Sequence, residues 1–156
     1  MSEIIVECYA DEALMRQLGY SRKLILHGPS KAGVLRSLEK NPNAVGVVDE
    51  DPGTNNSAYF LKYERIVEDK FNLEKFAKPR INTQLIVIKP FLEDWILRQA
   101  ASLDVDPLNY SLPTNAKKLH SKINDQLPKF EKMLIDMLQK KSKALEYLKW
   151  LIDNSH

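Results

Sequence analysis

Ala44-Val45-Gly46-Val47-Val48-Asp49-Glu50-Asp51 (AVGVVDED) joins an uninterrupted apolar run directly to a group of acids. An apolar run of this length is typical of a strand buried on both faces, as in a parallel sheet. Ligands of open parallel sheets bind beyond the carboxyl ends of the strands, which is where these acids stand. Because residues i and i+2 of an extended chain point the same way, we expect Asp49 and Asp51 to face one side together.

Segments on both sides of this stretch alternate between strand and helix patterns. Further strands are predicted at Ile4–Val6, Lys23–His27 and Leu85–Ile88, and helices at Asp11–Leu18, from Ser30 to about Lys40, and at Phe91–Ser102. Ser30 is a good N-cap for the second of these helices. The alternation predicts an α/β fold with a doubly wound, mainly parallel four-stranded sheet.

Two stretches between these segments are less regular. Residues 52–60 read as a polar loop, and one helix is predicted around Tyr63–Phe76 within an ambiguous region. Beyond a hinge-like stretch rich in proline, an apolar stripe at helical spacing predicts one long amphipathic helix over Pro128–Asp153. We therefore divide the chain into an α/β domain, residues 1–105, and a helical C-terminal extension packing on it, residues 106–156.

Composition excludes several classes of protein. The chain has 156 residues, 44% hydrophobic and 28% charged, with no apolar run near the ~20 residues that cross a bilayer. The N-terminus lacks the basic start and cleavage site of a signal peptide. The single cysteine, Cys8, forms no internal disulfide and fits a reducing compartment. These features predict a cytoplasmic protein without a membrane partner.

Charge is distributed unevenly along the chain. Residues 117–149 hold nine lysines against four acids, a charge of +5, and since the whole chain is +2, the remainder is −3. A basic tail on an acidic body is compatible with holding a polyanion near a metal, and the simpler interpretation is that these lysines solvate a helix.

A third acid, Glu7, directly follows the first predicted strand. We expect Glu7, Asp49 and Asp51 to converge at one edge of the sheet, where like charges repel unless a cation or a proton intervenes. Mg²⁺ prefers a few carboxylates with waters and phosphates, so the pattern predicts a site for Mg²⁺ or Mn²⁺. The alternative is that each acid caps a helix or solvates a loop.

Two of these segments resemble motifs of the Toprim family. Val6-Glu7-Cys8-Tyr9-Ala10-Asp11 is similar to its VEGxxD opening, with Cys8 where the family has glycine, and Val47-Val48-Asp49-Glu50-Asp51 is similar to its strand ending in DxD. The family includes bacterial-type primases, topoisomerases and overcoming-lysogenization-defect nucleases. The resemblance covers about residues 3–100 and implies a Toprim or Rossmann-like fold, Glu7 as metal ligand or general base or acid, and magnesium on Asp49 and Asp51. Lys89-Pro90-Phe91-Leu92-Glu93-Asp94-Trp95 is similar to a segment of small Toprim-like proteins.

Other polar residues are secondary candidates. Lys31, His27 and Lys89 are candidates for binding phosphate or substrate, since each lies at a strand end or a helix start. Glu93 is either a further metal ligand or an acid favoured by the helix dipole. Asp11 reads as a helix cap. Cys8 reads as a small, mostly buried side chain, and Trp95 and Trp150 as packing residues.

Three functions fit the pattern. The first is Mg²⁺-dependent, nuclease-like phosphodiester chemistry on DNA or RNA, with catalysis by Glu7, Asp49 and Asp51. The second is an inactive Toprim-like module that binds nucleic acid, a partner protein or a second copy through its C-terminal helix. The third is a receiver-like domain in which Asp49 accepts phosphate and Lys89-Pro90 is the lysine-proline motif.

Overall fold

A computed structural model describes residues 2–53, 58–81 and 83–155. One sheet organises these residues, in the order β2-β1-β3-β6-β5-β4. Its strands are β1 Ile4–Val6, β2 Ile25–His27, β3 Val45–Asp49, β4 Glu64–Lys70, β5 Leu73–Ala77 and β6 Gln84–Ile88. The helices are α1 Tyr9–Gln17, α2 Lys31–Lys40, α3 Leu92–Ser102, α4 Ala116–Lys122, α5 Leu127–Gln139 and α6 Lys143–Asp153.

The fold is α/β, but the sheet is mixed and has six strands where four were predicted. β2, β1, β3 and β6 pair in parallel, and these are the strands expected from the sequence. β4 and β5 form an antiparallel hairpin, and β5 pairs antiparallel with β6. The hairpin extends the sheet beyond β6, so β6 is not an edge strand.

The hairpin replaces the single helix predicted around Tyr63–Phe76, which is wrong. Phe71 and Asn72 form its two-residue loop, and both have left-handed backbone angles, φ 56° and 57°. Two-residue loops of this kind match the twist of paired strands. β4 is largely exposed and charged, as an edge strand is expected to be, and it has no apolar alternation that would identify it in the sequence.

The predicted long helix over Pro128–Asp153 is also wrong, because the chain turns between α5 and α6. Lys141 has a left-handed φ of 59° and ends the first helix. The Ser142 hydroxyl accepts the backbone N–H of Leu145 at 3.3 Å and caps the second helix. The apolar stripe continues through both helices because both bury one face in the same core.

Helices cover both faces of the sheet. α2 packs on one face, where Val34, Leu35 and Leu38 meet Ile5, Val48 and Leu85. The other face is covered by α1, α3, α5 and α6, whose buried side chains join those of β1, β3 and β6 in one larger core. Within the part of the chain that the structure describes, no helix is both long and apolar enough to cross a membrane. The predicted division at residue 105 stays a prediction.

The loop after β3 is described only in part. Residues 54–57 of the predicted polar loop lie outside the described residues, and Phe60–Lys62 form a short 3₁₀ turn. The helix predicted from Ser30 is confirmed as α2, and the Ser30 hydroxyl accepts the Gly33 N–H at 3.0 Å.

Gly46, in the middle of β3, offers a test of how tightly α2 packs. A Cβ at Gly46 would lie 2.7 Å from Leu38 Cδ1 and 2.9 Å from Leu85 Cδ1. We expect Gly46→Ala to lower the free energy of unfolding by about 1–3 kcal/mol through overpacking, measured by urea denaturation. Combining it with Leu38→Ala should be less destabilising than the sum of the two changes, since the second removes the nearer of the two clashing atoms. Full additivity, or no loss in Gly46→Ala alone, would contradict this packing.

Candidate functional site

Glu7 and the segment after β3 lie together at the carboxyl edge of the parallel strands. The Asp49 N–H donates to Glu7 Oε1 at 3.4 Å, which joins the ends of β1 and β3. The Glu50 N–H donates to the Ile88 carbonyl at 2.8 Å, and the Asp51 N–H donates to the Pro90 carbonyl at 3.0 Å. These bonds link three parallel strands and the start of α3 into one edge. Glu7, Asp49 and Asp51 are therefore brought together there.

Asp51 reaches this edge by a different backbone path from the one predicted. Its φ of 53° is left-handed, so the extended geometry expected to align it with Asp49 does not continue to this residue. Asp51 nonetheless lies close enough to Glu7 to contribute to the rise in that residue's pKa. Asp51 therefore belongs to the cluster because it lies near Glu7, and not because it alternates with Asp49 along an extended strand.

Asp11 is a further acid of this cluster and is almost fully buried. Its Oδ2 accepts the Cys8 backbone N–H and the Cys8 thiol, both at 3.2 Å, so it caps α1 as predicted. Burial, and then the charge of Glu7, raise its pKa to about 7. Burial, and then the charge of Asp11, also raise the pKa of the Cys8 thiol, which makes Cys8 a poor nucleophile.

Asp49 has the largest perturbation among these acids. Burial raises the pKa of its carboxyl to about 9, and the charges of Asp11, Glu7 and Glu93 act in the same direction. The Leu92 N–H, at the start of α3, donates to this carboxyl and partly offsets the rise. Burial also raises the pKa of Glu7, against the lowering effects of the Asp49 N–H and Lys31. Several carboxylates thus share a space in which ionising all of them is unfavourable.

Glu93 belongs to the same group and has its own partner. It lies buried in the first turn of α3, and its charge raises the pKa values of Glu7, Asp11 and Asp49. His120 Nδ1, from α4, forms a hydrogen bond with Glu93 Oε1. A cavity of about 420 Å³ lies between α3 and α4 beside this pair. Glu93 is therefore both a first-turn acid and a member of the cluster.

Lys31 is a cation that faces this group of acids. Its Nζ donates to the Glu50 carbonyl at 2.9 Å, and it lies 4.7 Å from the centre of the Phe60 ring. Burial lowers the pKa of the Lys31 ammonium, while Glu7 and Asp51 act to raise it. The structure thus places Lys31 where it can neutralise part of the cluster.

The other two phosphate-binding candidates lie apart from these contacts. His27 Nε2 pairs with Glu12 Oε1 at 3.2 Å, and the His27 ring packs against Tyr9 at 5.0 Å between centroids. Lys89 Nζ lies 3.0 Å from Asp69 and 3.2 Å from Glu74, toward the hairpin of β4 and β5. These contacts of His27 and Lys89 are thus made with Glu12, Asp69 and Glu74, and not with the three acids at the edge.

The spacing of the acids is more open than that of a closed metal site. Over residues 2–53, 58–81 and 83–155, no three histidine, cysteine, aspartate or glutamate side chains are placed to hold one metal ion. Asp11 and Asp49 also have local roles, since each accepts a backbone N–H at a helix start. As it stands, the edge offers carboxylate oxygens to a cation without enclosing it.

Two residues of this site were missed from the sequence. Asp11 was assigned only a cap, although it follows Glu7 by four positions across a strand-to-helix turn, and this spacing was a usable signal. His120 had no such signal, because its contact with Glu93 depends on how α4 packs on α3.

No family model, curated protein or solved structure matches the chain.

The raised pKa values predict how stability depends on pH without divalent cations. An unfolded chain ionises aspartate near pH 3.9, whereas folded Asp11 and Asp49 ionise at about 7 and about 9. The folded state therefore binds more protons between these limits, and the stability from both groups falls as pH rises through that window. We expect the melting temperature, measured in EDTA, to decline from pH ~5 to pH ~9.

Asp49→Asn isolates the contribution of Asp49 to this pH dependence of stability. Asparagine can still accept the Leu92 N–H but does not ionise, so the variant should lose less stability between pH ~7 and pH ~9 and exceed the wild type by about 1–3 kcal/mol at the upper end. Asp104→Asn is the matched control, because Asp104 is exposed and its left-handed φ of 57° suits asparagine. A wild-type melting temperature that rises over this range would contradict the assignment.

Proposed function

We propose that the chain is a metal-dependent enzyme that acts on phosphodiester bonds of a nucleic acid, with Mg²⁺ or Mn²⁺ as cofactor. The observation that supports this most directly is the gathering of Glu7, Asp49 and Asp51 at the carboxyl edge of the sheet, with Lys31 facing them. Perturbed pKa values at such an edge are typical of functional sites. The reaction proposed is nuclease-like cleavage.

The donor set fits a hard divalent cation. All of the acids offer oxygen atoms, and Mg²⁺ in nucleotide enzymes is usually held by one or two carboxylates together with waters and substrate phosphates. An open arrangement without three protein ligands around one point therefore matches a site that the substrate completes. When bound, the metal supplies a positive charge that polarises the phosphate and stabilises the leaving oxygen.

The residues of the chain have separable roles in this proposal. Glu7, Asp49 and Asp51 are all half-buried and can receive the cation, and the Leu92 N–H holds the Asp49 carboxyl in place. The raised pKa of Glu7 brings this carboxyl nearer to neutral pH, where a proton-transfer group is most effective. Lys31 lies beside Glu7 and Asp51 and can pair with a phosphate oxygen.

The resemblance to the Toprim family supports the same proposal. Its two motifs lie at the ends of β1 and β3, which are neighbouring parallel strands. Cys8, where the family has glycine, has an extended backbone with φ −139°, a conformation open to any residue. The Cys8 side chain therefore adds no backbone strain at this position. Catalytic Glu7, Asp49 and Asp51 remain part of the proposal.

An inactive binding module is a second candidate. The caps formed by Asp11 and Asp49 favour it, because they give two of the acids a structural purpose without a metal. A receiver-like role has less support: Lys89 pairs with Asp69 and Glu74, whereas that role would direct its ammonium toward Asp49. Whether the folded protein binds a divalent metal distinguishes the enzyme from the binding module.

Melting with and without Mg²⁺ tests the metal. At pH ~8 and saturating Mg²⁺, a ligand bound only by the folded state should raise the wild-type melting temperature by roughly 2 °C or more. Asp49→Asn should lose most of this shift, and Asp104→Asn should keep it. A wild type that is indifferent to both Mg²⁺ and Mn²⁺ would favour the binding module.

Cleavage of end-labelled DNA and RNA tests the reaction itself. We expect Mg²⁺-dependent cleavage that falls by at least about 100-fold in Glu7→Gln and Asp49→Asn, because each change removes a carboxylate from the site. Lys31→Ala should mainly raise KM, since Lys31 is assigned to the phosphate. Activity that persists in EDTA, or in Asp49→Asn at the wild-type rate, would refute the proposal.

A further inference from the structure

Three aromatic side chains form a continuous ladder on the surface of the protein. The ring centroids of Phe71 and Tyr147 are 5.8 Å apart, and those of Tyr147 and Trp150 are 5.9 Å apart. The planes of Tyr147 and Trp150 differ by only 9°, so these two rings are stacked, whereas the Phe71 ring is tilted by 55° from the Tyr147 ring. Trp150 is 54% exposed and Phe71 is 38% exposed, and Tyr147 is half-buried against the core. We call Phe71, Tyr147 and Trp150 the aromatic ladder.

The ladder is held on two elements that fix its position. Tyr147 and Trp150 are three residues apart on α6, so they lie on the same side of that helix. Phe71 belongs to the loop between β4 and β5, and its carbonyl accepts the indole N–H of buried Trp95 at 2.7 Å. The Phe71 ring is therefore presented by a backbone anchored to the core.

A cation lies over the ladder. Lys70 Nζ is 5.0 Å from the centre of the Tyr147 ring and 5.7 Å from that of Phe71. The first seven residues of α6, Lys143–Lys149, are the end of the basic segment, residues 117–149, whose net charge is +5. Flat aromatic faces together with positive charge are complementary to a ligand that offers both π surfaces and phosphates.

The ladder and the acids share one edge of the sheet. Leu73, directly after the hairpin loop, pairs with Ile88, and Ile88 pairs with Asp49 on the other side of β6. The Lys89 N–H donates to the Asn72 carbonyl at 2.9 Å, which joins the hairpin loop to the end of β6. The hairpin loop thus lies two strands from the end of β3, on the same edge as Asp49.

We propose that the aromatic ladder is a stacking platform for unpaired bases of a single-stranded nucleic acid. This rests on the proposed function and specifies its substrate as single-stranded, because bases in a duplex do not expose the faces that would stack on Tyr147 and Trp150. Lys70 pairs with the backbone of the strand. A strand lying on the ladder runs along the edge toward Glu7, Asp49 and Asp51.

Intrinsic fluorescence reports directly on this contact. The chain has two tryptophans, and Trp95 is buried while Trp150 is exposed. Titration in EDTA with an oligothymidylate of about 12–16 nucleotides should quench Trp150, with weaker binding of a duplex of the same length. The quench should disappear in Trp150→Leu, although that variant still contains Trp95.

Binding by fluorescence anisotropy of the labelled oligonucleotide gives the affinity of each variant. Trp150→Leu and Tyr147→Leu should each weaken binding about 10-fold, in the range of single base stacks, and Lys70→Gln should reduce the salt dependence. Leu108→Ala is the control, because Leu108 is a similarly exposed apolar side chain outside the ladder. Circular dichroism melting confirms that each variant is folded.

Different outcomes separate this inference from the proposed function. Binding that requires the ladder, without any metal-dependent cleavage, supports the platform and refutes the enzyme. Cleavage that requires Asp49, with unchanged affinity and KM in both ladder variants, refutes the platform and leaves the enzyme. Equal affinity for duplex and single strand overturns the platform. Self-association through the ladder also overturns the platform. Light scattering would then show oligomers of the wild type that are lost in Trp150→Leu.

Discussion

The burial of β3 between two parallel neighbours is the constraint on which the other features depend. β3 pairs with β1 on one side and β6 on the other, and all three run in the same direction. Their carboxyl ends therefore open at one edge, and the polar residues that follow them are forced into a common space. Gly46 lets the side chains of α2 approach β3 closely, so this central strand is fixed by packing as well as by hydrogen bonds.

The acids at this edge oppose one another, and the fold offsets the repulsion in three ways. Backbone N–H groups donate to the carboxylates of Glu7, Asp11 and Asp49. These N–H groups lie at strand ends or helix starts. Lys31 adds a positive charge, and His120 pairs with Glu93. Because burial still raises the pKa values of Glu7, Asp11 and Asp49, these contacts do not fully stabilise the ionised forms. Protonation at low pH, which removes the charge, and a bound cation at higher pH are the two remaining ways to relieve the repulsion.

The parts of the fold that were predictable are those with local signals. The parallel strands have apolar runs, α2 has its Ser30 cap, and the acids directly follow strands, so their neighbourhood was expected. The hairpin of β4 and β5 was not predicted because β4 is exposed and charged, and its loop uses Phe71 in a left-handed conformation where glycine or asparagine is usual. The turn at Lys141 was missed for a similar reason, since neither glycine nor proline marks it. His120 was not predictable because only the packing of α4 on α3 brings it to Glu93.

The hairpin changes the chemistry available at the edge, as well as the number of strands. It adds Asp69 and Glu74, which take up the ammonium of Lys89, so this lysine is drawn away from the acids despite following β6. Lys31, in contrast, contacts the segment after β3 through the Glu50 carbonyl. The same hairpin presents Phe71 to Tyr147, and it thereby places an aromatic surface beside an acidic one. A polyanion would be repelled by the acids alone, so attraction at Lys70 and Lys31, together with a bound cation, is what would make this edge a surface for nucleic acid.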